Sequence, residues 1–208
     1  MADKQQTSDS QEDIKHLIDP EAARTFAAAL LHAHGVSKDN AVLTADCLVA
    51  ADLRGIDTHG VQRLPSYIAR VRQGVLDASA SPTIKEVTPV VAHIDAHNGF
   101  GFPAAASGID FATNAAKTYG IGMASVTHSN HFGMSAWIVQ RAIDAEMMSL
   151  VFTNSSPALP AFGGREKLLG VSPIACGAPG KDGKHFILDM APSVAARGAP
   201  TYPDLESV

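Results

Sequence analysis

Cysteine is scarce in this chain, which has only Cys47 and Cys176, far apart in sequence. Two such residues exclude a disulfide framework, and neither has the paired spacing of a zinc site. Cys47 falls in an apolar helical pattern, which fits a reducing compartment. Positive charge is also in short supply. Lys and Arg number 16 against 21 Asp and Glu, for a formal charge of −5, and no segment gathers Lys or Arg. Nucleic acid and anionic lipid are therefore not expected partners. No apolar run approaches the roughly 18 to 20 residues that cross a bilayer, so no membrane-embedded segment is expected. Met1 to Asp13 lack the apolar centre of a signal peptide and the Arg-rich, acid-poor character of a transit peptide. They read as a disordered tail on a cytoplasmic protein.

What the chain does have is apolar bulk. At 46% hydrophobic over 208 residues it can bury a sizeable core, as one large or two small domains. The stretch that organises it is Asp52-Leu53-Arg54-Gly55-Ile56-Asp57-Thr58-His59-Gly60-Val61-Gln62-Arg63-Leu64-Pro65. If the backbone is helical from Thr58 onward, His59 and Arg63 project from one face, a turn apart. That spacing suits a small 2-hydroxy or 2-oxo acid. Arg63 would grip the carboxylate through two parallel N–H bonds while His59 exchanges a proton with the carbon-2 oxygen. The bland alternative pairs Arg63 with an acid such as Asp57 and leaves His59 as packing.

Helical pattern precedes this stretch. Asp19-Pro20 reads as a cap and first helical residue for a helix ending at Gly35, and Ser37 caps a second that runs to Gly55. After it, Val61, Leu64, Ile68 and Val71 share a face up to Gly74. Pro65 requires that this helix either start near Leu64, with His59 in the preceding loop, or kink.

From Ser81 the pattern turns to strands. Thr83 to Thr88 and Pro89 to Asp95 are short strands, followed by Asn98-Gly99-Phe100-Gly101-Phe102-Pro103 and a helix over Ala104 to Tyr119. Gly99, Gly101 and Ala104 loosely approximate a dinucleotide-binding turn, although a plain turn is served equally well. A strand over Gly120 to Val126 feeds Thr127-His128-Ser129-Asn130-His131-Phe132-Gly133 and a helix over Met134 to Ala145. Polar residues at such a junction are where α/β proteins place ligand sites, and two histidines there are a local pointer. Ser149 to Thr153 reads as a buried strand closed by Asn154-Ser155-Ser156-Pro157. The linker Ala158 to Gly170 holds a tight turn, Phe162-Gly163-Gly164-Arg165. Pro173 to Ala178 and Lys184 to Asp189 are expected to pair antiparallel, with Asp182-Gly183 in the turn.

Four of these stretches, in this order, carry a resemblance: Arg54 to Leu64, Ser129-Asn130-His131-Phe132-Gly133, Pro160-Ala161-Phe162-Gly163-Gly164-Arg165 and Leu188-Asp189-Met190-Ala191. The chain resembles the malate/L-lactate dehydrogenase family, which is distinct from the Rossmann-type lactate and malate enzymes and includes ureidoglycolate, sulfolactate, diketogulonate and imino-acid reductases. The likeness covers roughly Ile14 to Gly198. It implies an oxidoreductase that uses NAD or NADP on a small 2-hydroxy or 2-oxo acid, usually as a homodimer. It further implies an acid/base role for His59 or His131, a carboxylate-binding role for Arg63, and nucleotide contacts from Ser155, Asp189, Met190 and Ala191. No metal is implied.

The fold expected on this basis is α/β: an N-terminal helical layer and a mixed-sheet, non-Rossmann cofactor domain that is incomplete. Its divisions are a tail over 1–13, a helical substrate and dimer domain over 14–80, a partial cofactor domain over 81–198, and a tail outside the family pattern over 199–208. Val171-Ser172 stand where the family commonly has Thr-Asn. Because family chains are longer, a rival reading is a truncated, catalytically inactive fragment that keeps a dimerisation surface. A metal-dependent hydrolase built on His128 and His131 is a further alternative, but no third ligand has matching spacing.

Overall fold

The computed structural model describes residues 17–193. The two expected tails, over 1–13 and 199–208, lie outside the described residues. Helix α1 (Pro20–Ala33) starts where Asp19 accepts a hydrogen bond from the Ala22 N–H at 2.8 Å and Pro20 supplies a preset φ. Helix α2 (Lys38–Asp52) begins after Ser37, and α3 (Leu64–Arg72) carries Pro65 in its first turn, where no N–H is required.

The second half alternates strands and helices. In order they are β1 (Thr83–Thr88), β2 (Val91–Asp95), α4 (Gly101–Tyr119), β3 (Met123–Thr127), α5 (Ser135–Asp144), β4 (Ser149–Phe152), β5 (Leu159–Pro160), β6 (Lys167–Leu169), β7 (Ile174–Ala178) and β8 (Phe186–Met190). One sheet runs β1-β2-β3, antiparallel between β1 and β2 and parallel between β2 and β3, with α4 as the crossover. A second sheet, β4-β7-β8, is antiparallel throughout, and β5-β6 form a small ribbon inside the segment expected to be a plain linker. The expected architecture, a helical layer with a mixed-sheet α/β part, is the one observed, and its sheets are small and open.

One core runs through both parts. Leu31, Cys47, Leu48 and Tyr67 from the first three helices pack with Phe100, Phe102, Met134, Trp137 and Ile138 from the second half. Burying these side chains is the main favourable contribution to folding, each worth about 1.5 to 3 kcal/mol where fully enclosed. Because the residues come from both sides of Ala80, the helical layer and the sheet layer hold each other's loops in place.

One open alternative is decided and one expectation corrected. The backbone is not helical from Thr58 onward: of the two courses that Pro65 allowed, α3 starts at Leu64 and His59 lies before it. Two 3-10 turns, Asp57–His59 and Val61–Arg63, are separated by Gly60 in an extended conformation (φ −89°, ψ −161°), and α3 starts only at Leu64. The break has a cause: the Asp52 carboxylate accepts the Val61 N–H at 2.9 Å, and it lies where a Cβ on residue 60 would stand. Strand β4 is not buried on both faces either, since Leu150 and Phe152 are 71% and 75% exposed. A smaller difference is that β3 begins at Met123 rather than Gly120, which instead closes α4 with φ +81°.

Candidate functional site

Three segments converge on His131. The loop after β3 carries the residue, the turns before α3 bring His59, and α3 itself brings Tyr67. The rings of His59 and His131 stack with centroids 5.5 Å apart and planes 30° apart. Tyr67 sits against the same imidazole, with its hydroxyl 2.7 Å from His131 Nδ1, and Phe102 meets the ring edge-on at 6.4 Å. The two histidines, 72 positions apart in sequence, are thus one feature of the fold.

Arg63 belongs to this cluster. Its Nε donates to the Thr58 carbonyl at 2.7 Å, which leaves the two terminal nitrogens without a protein partner among the described residues. An end-on fork of this kind matches a carboxylate. The alternative pairing with Asp57 does not form. Although the one-turn helical spacing is lost, the bond from Arg63 to Thr58 keeps the guanidinium beside His59 by another route.

The loop bearing His131 is braced from below. Asn130 Nδ2 donates to the Asn98 and Gly99 carbonyls at 2.9 and 3.0 Å, and Arg70 Nη2 on α3 donates to Asn130 Oδ1 at 2.9 Å. Gly101, at the start of α4, completes the brace. A Cβ there would stand 2.2 Å from the Asn130 carbonyl oxygen and 2.7 Å from that of His131. Gly101 therefore makes room for the His131 loop and Gly99 for Ala80 and the Ala96 carbonyl, and the weak likeness to a dinucleotide turn is explained by packing.

Electrostatics favour a neutral pair. His131 is exposed on one side, yet its other edge is packed against Tyr67 and Phe102, and burial with the charges of His59 and Arg63 pulls its pKa down to about 4. His59 is shifted down as well, by burial first and Arg63 next, against the opposing pull of Asp189. Tyr67 is shifted up, chiefly by burial, so its phenol keeps its proton. Beneath them the thiol of Cys47 is pushed up to about 12, mainly by burial, and is uncharged.

The remaining expected site residues divide. Asp189 lies close enough to act on the charge of His59, and its carboxylate accepts the Ala136 N–H at 2.7 Å in the first turn of α5. Met190 and Ala191 follow at the strand end, Met190 being 47% exposed. Ser155 belongs to another contact set, where its hydroxyl oxygen accepts the Ser172 N–H at 3.3 Å. The two histidines of the β3–α5 loop separate: His128 turns away to Asp95, 3.1 Å from both carboxylate oxygens. Among the described residues no group of three or more His, Cys, Asp or Glu is placed to hold a metal ion. No helix among them is long and apolar enough to cross a membrane.

Sequence reasoning missed Tyr67, Asp52 and Arg70. Tyr67 had one available signal, its position four residues after Arg63 on a helical run. Asp52 and Arg70 act through backbone and loop contacts that no spacing announces.

Known proteins resemble this chain in sequence and in fold. The sequence profile of the malate/L-lactate dehydrogenase family matches residues 18–201, a few residues beyond the expected limit at Gly198. A malate/(S)-sulfolactate dehydrogenase of Methanothermus fervidus is 34% identical over 88% of this chain and 53% of its own length. A (2R)-3-sulfolactate dehydrogenase (NADP(+)) of Chromohalobacter salexigens is 34% identical over 89% of this chain and 55% of its own. The crystal structure of malate dehydrogenase from Entamoeba histolytica superposes with a TM-score of 0.83 at 33% identity, covering 86% of this chain and 50% of that one. The chain spans about half the length of the curated relatives it matches. A profile match over most of the sequence, together with the same fold at this level of identity, shows that the chain belongs to the malate/L-lactate dehydrogenase family.

Proposed function

We propose that this chain carries the acid-binding side of an oxidoreductase that interconverts a small 2-hydroxy acid and its 2-oxo acid with NAD or NADP. The observation that carries the reading is the stacked His59–His131 pair with the Arg63 fork beside it. Arg63 holds the carboxylate end-on through its terminal nitrogens, and an imidazole faces the carbon-2 oxygen one bond away. His59 or His131 takes the hydroxyl proton in oxidation and returns it in reduction. Imidazole can exchange a proton near neutrality, its unperturbed pKa being about 6.5, and the downward shift of both rings here favours the neutral form that accepts a proton in oxidation.

The residues on the nucleotide side fit such a cofactor. Asp189 at the end of β8 faces α5 and acts on His59, Met190 and Ala191 follow it at the strand end, and the Ser155 hydroxyl, having accepted one bond, still has its own proton to donate. A bound nicotinamide would supply the acceptor for a hydride from carbon 2 of the hydroxy acid and the donor in the reverse direction. The relatives named for malate and sulfolactate make a short acid with a second anionic group the first class to try.

The test is oxidation of NADH and NADPH with a panel of 2-oxo acids, using the chain, His59→Ala and His131→Ala. The expected result is loss of rate by about 10²-fold or more in at least one variant, the scale of a lost proton-transfer group. Full rate in both would overturn the assignment.

A second reading is favoured by one observation, the open apolar face of the β4-β7-β8 sheet: the 208-residue chain associates with itself, as the family's homodimers do, and does not turn over. Sedimentation across a concentration series reports the association, and turnover in the same assay separates the two readings. An active, well-behaved species eliminates the second reading.

A further inference from the structure

We propose that Tyr67 is a positioning residue for His131: with the Gly133 N–H it fixes the imidazole as the Nε2–H tautomer, so that His131 presents a hydrogen-bond donor to the ligand side. The inference deepens the reading above and rests on it for the identity of the ligand oxygen: with a proton fixed on Nε2, His131 donates toward that oxygen, which leaves acceptance of the hydroxyl proton in oxidation to His59.

The argument begins at Gly133. Its backbone N–H lies 3.3 Å from His131 Nδ1, and a backbone N–H can only donate. Nδ1 must therefore carry the lone pair. Tyr67 reaches the same nitrogen at 2.7 Å, and because burial raises the phenol pKa, its hydroxyl keeps the proton needed to donate there. Two donors on one nitrogen leave the proton of the neutral ring on Nε2. A third donor position, the Nδ1–H of the other tautomer, would set N–H against N–H, which is why the alternative is disfavoured.

The direction of the ring follows from its surroundings. The Nδ1 edge is turned toward buried Tyr67, while the residue as a whole remains exposed, so Nε2 lies on the open side. The groups facing the ring are uniform in what they ask of it. Arg63 and His59 from the turns before α3 disfavour a second proton by charge, Tyr67 from α3 donates to the lone pair, and Cys47 from α2 is uncharged beneath Gly133. Asp189 from β8 acts on His59. A neutral donor beside a carbon-2 oxygen stabilises the negative charge that develops there as a 2-oxo acid is reduced.

The tautomer can be read directly by two-bond ¹H–¹⁵N correlation NMR on the histidine-labelled 208-residue chain, with no ligand present. His131 is expected to show a lone-pair Nδ1 and a protonated Nε2 at neutral pH. In Tyr67→Phe the ring contacts with Phe100 and Phe102 are kept, but the tautomer ratio is expected to fall by roughly fivefold and the His131 pKa to rise, the scale of one hydrogen bond. An Nδ1–H signal in the parent chain, or an unchanged ratio in Tyr67→Phe, would overturn the proposal. Kinetics supply a second arm. His131→Gln retains an N–H near the Nε2 position, whereas His131→Leu does not, so Gln should keep at least tenfold more kcat than Leu for a 2-oxo acid. Equal loss in both would refute the donor role. Absence of turnover in the parent chain would instead count against the function proposed above, and the NMR result would still decide the tautomer.

Discussion

At the level of single residues, the site depends on small changes in who donates to whom. Since the pKa of His131 is held near 4, below the 6.5 of an unfolded histidine, the unfolded chain binds the extra proton first as pH falls. The stability that His131 contributes is therefore complete above about 6.5 and is lost as pH drops from there toward about 4. His59, shifted in the same direction, adds to the same slope. Thermal unfolding midpoints measured from pH 7.5 to pH 5 should fall, and the fall should be shallower in His131→Gln. Arg63→Lys tests the fork. A lysine keeps the charge but not the two-pronged geometry, and loss of one charge-assisted bond costs about 1.5 to 3 kcal/mol. Steady-state kinetics should show KM for the 2-oxo acid rising by roughly ten- to a hundredfold.

Among the elements, the two glycines of α4 give opposite expectations. Gly101 meets the backbone of the His131 loop, so Gly101→Ala must push the helix start away from Asn130 and His131. The cost is expected to be about 1 to 3 kcal/mol in urea unfolding, with loss of activity, as for other overpacked positions. Gly108 lies in the helix interior, where a Cβ would find Ala124, Ile94 and Val126 at 3.4 to 3.7 Å, which is ordinary contact. Gly108→Ala should be neutral or stabilise by up to about 1 kcal/mol, through helix propensity. If both substitutions behaved alike, α4 would not brace the β3–α5 loop at Gly101. Helix boundaries themselves were legible: Asp19, Pro20 and Ser37 announce the starts of α1 and α2 through local chemistry. For the segment from Thr58 to Leu64, Pro65 announced a helix start at Leu64 as one of two courses, but the path before it was not legible. Its break at Gly60 comes from the carboxylate of Asp52, eight positions earlier, and periodicity alone does not register a side chain that competes for a backbone N–H.

For the whole molecule, the decisive feature is a sheet with one face covered. In β4-β7-β8 the inner face packs on α5, where Ala175 is fully buried and Gly177 meets Val139 and Ile143. Register places Phe152, Ile174 and Met190 in one row of the other face, and Leu150, Cys176 and Leu188 in the next. Most of these large apolar side chains are exposed, with Phe152 at 75%. A contiguous apolar face of this kind drives association. Analytical ultracentrifugation should find the 208-residue chain self-associating with rising concentration, and Phe152→Thr with Leu188→Thr should shift it toward monomer. Unchanged association in the double variant would place the interface elsewhere.

Local chemistry and motif order determined much of this protein from the sequence alone. Caps, glycine and proline positions and apolar period gave the succession of helices and strands, and four short motifs in order gave the family. Only the tertiary structure decided which residues act together. Whether His59 and Arg63 face each other, whether His128 or His131 joins them, and which donor reaches Nδ1 are settled by where distant segments are pressed together. A shared core built from Leu31, Leu48, Phe102 and Met134 sets those distances, and contacts between residues far apart along a chain leave no period in its sequence.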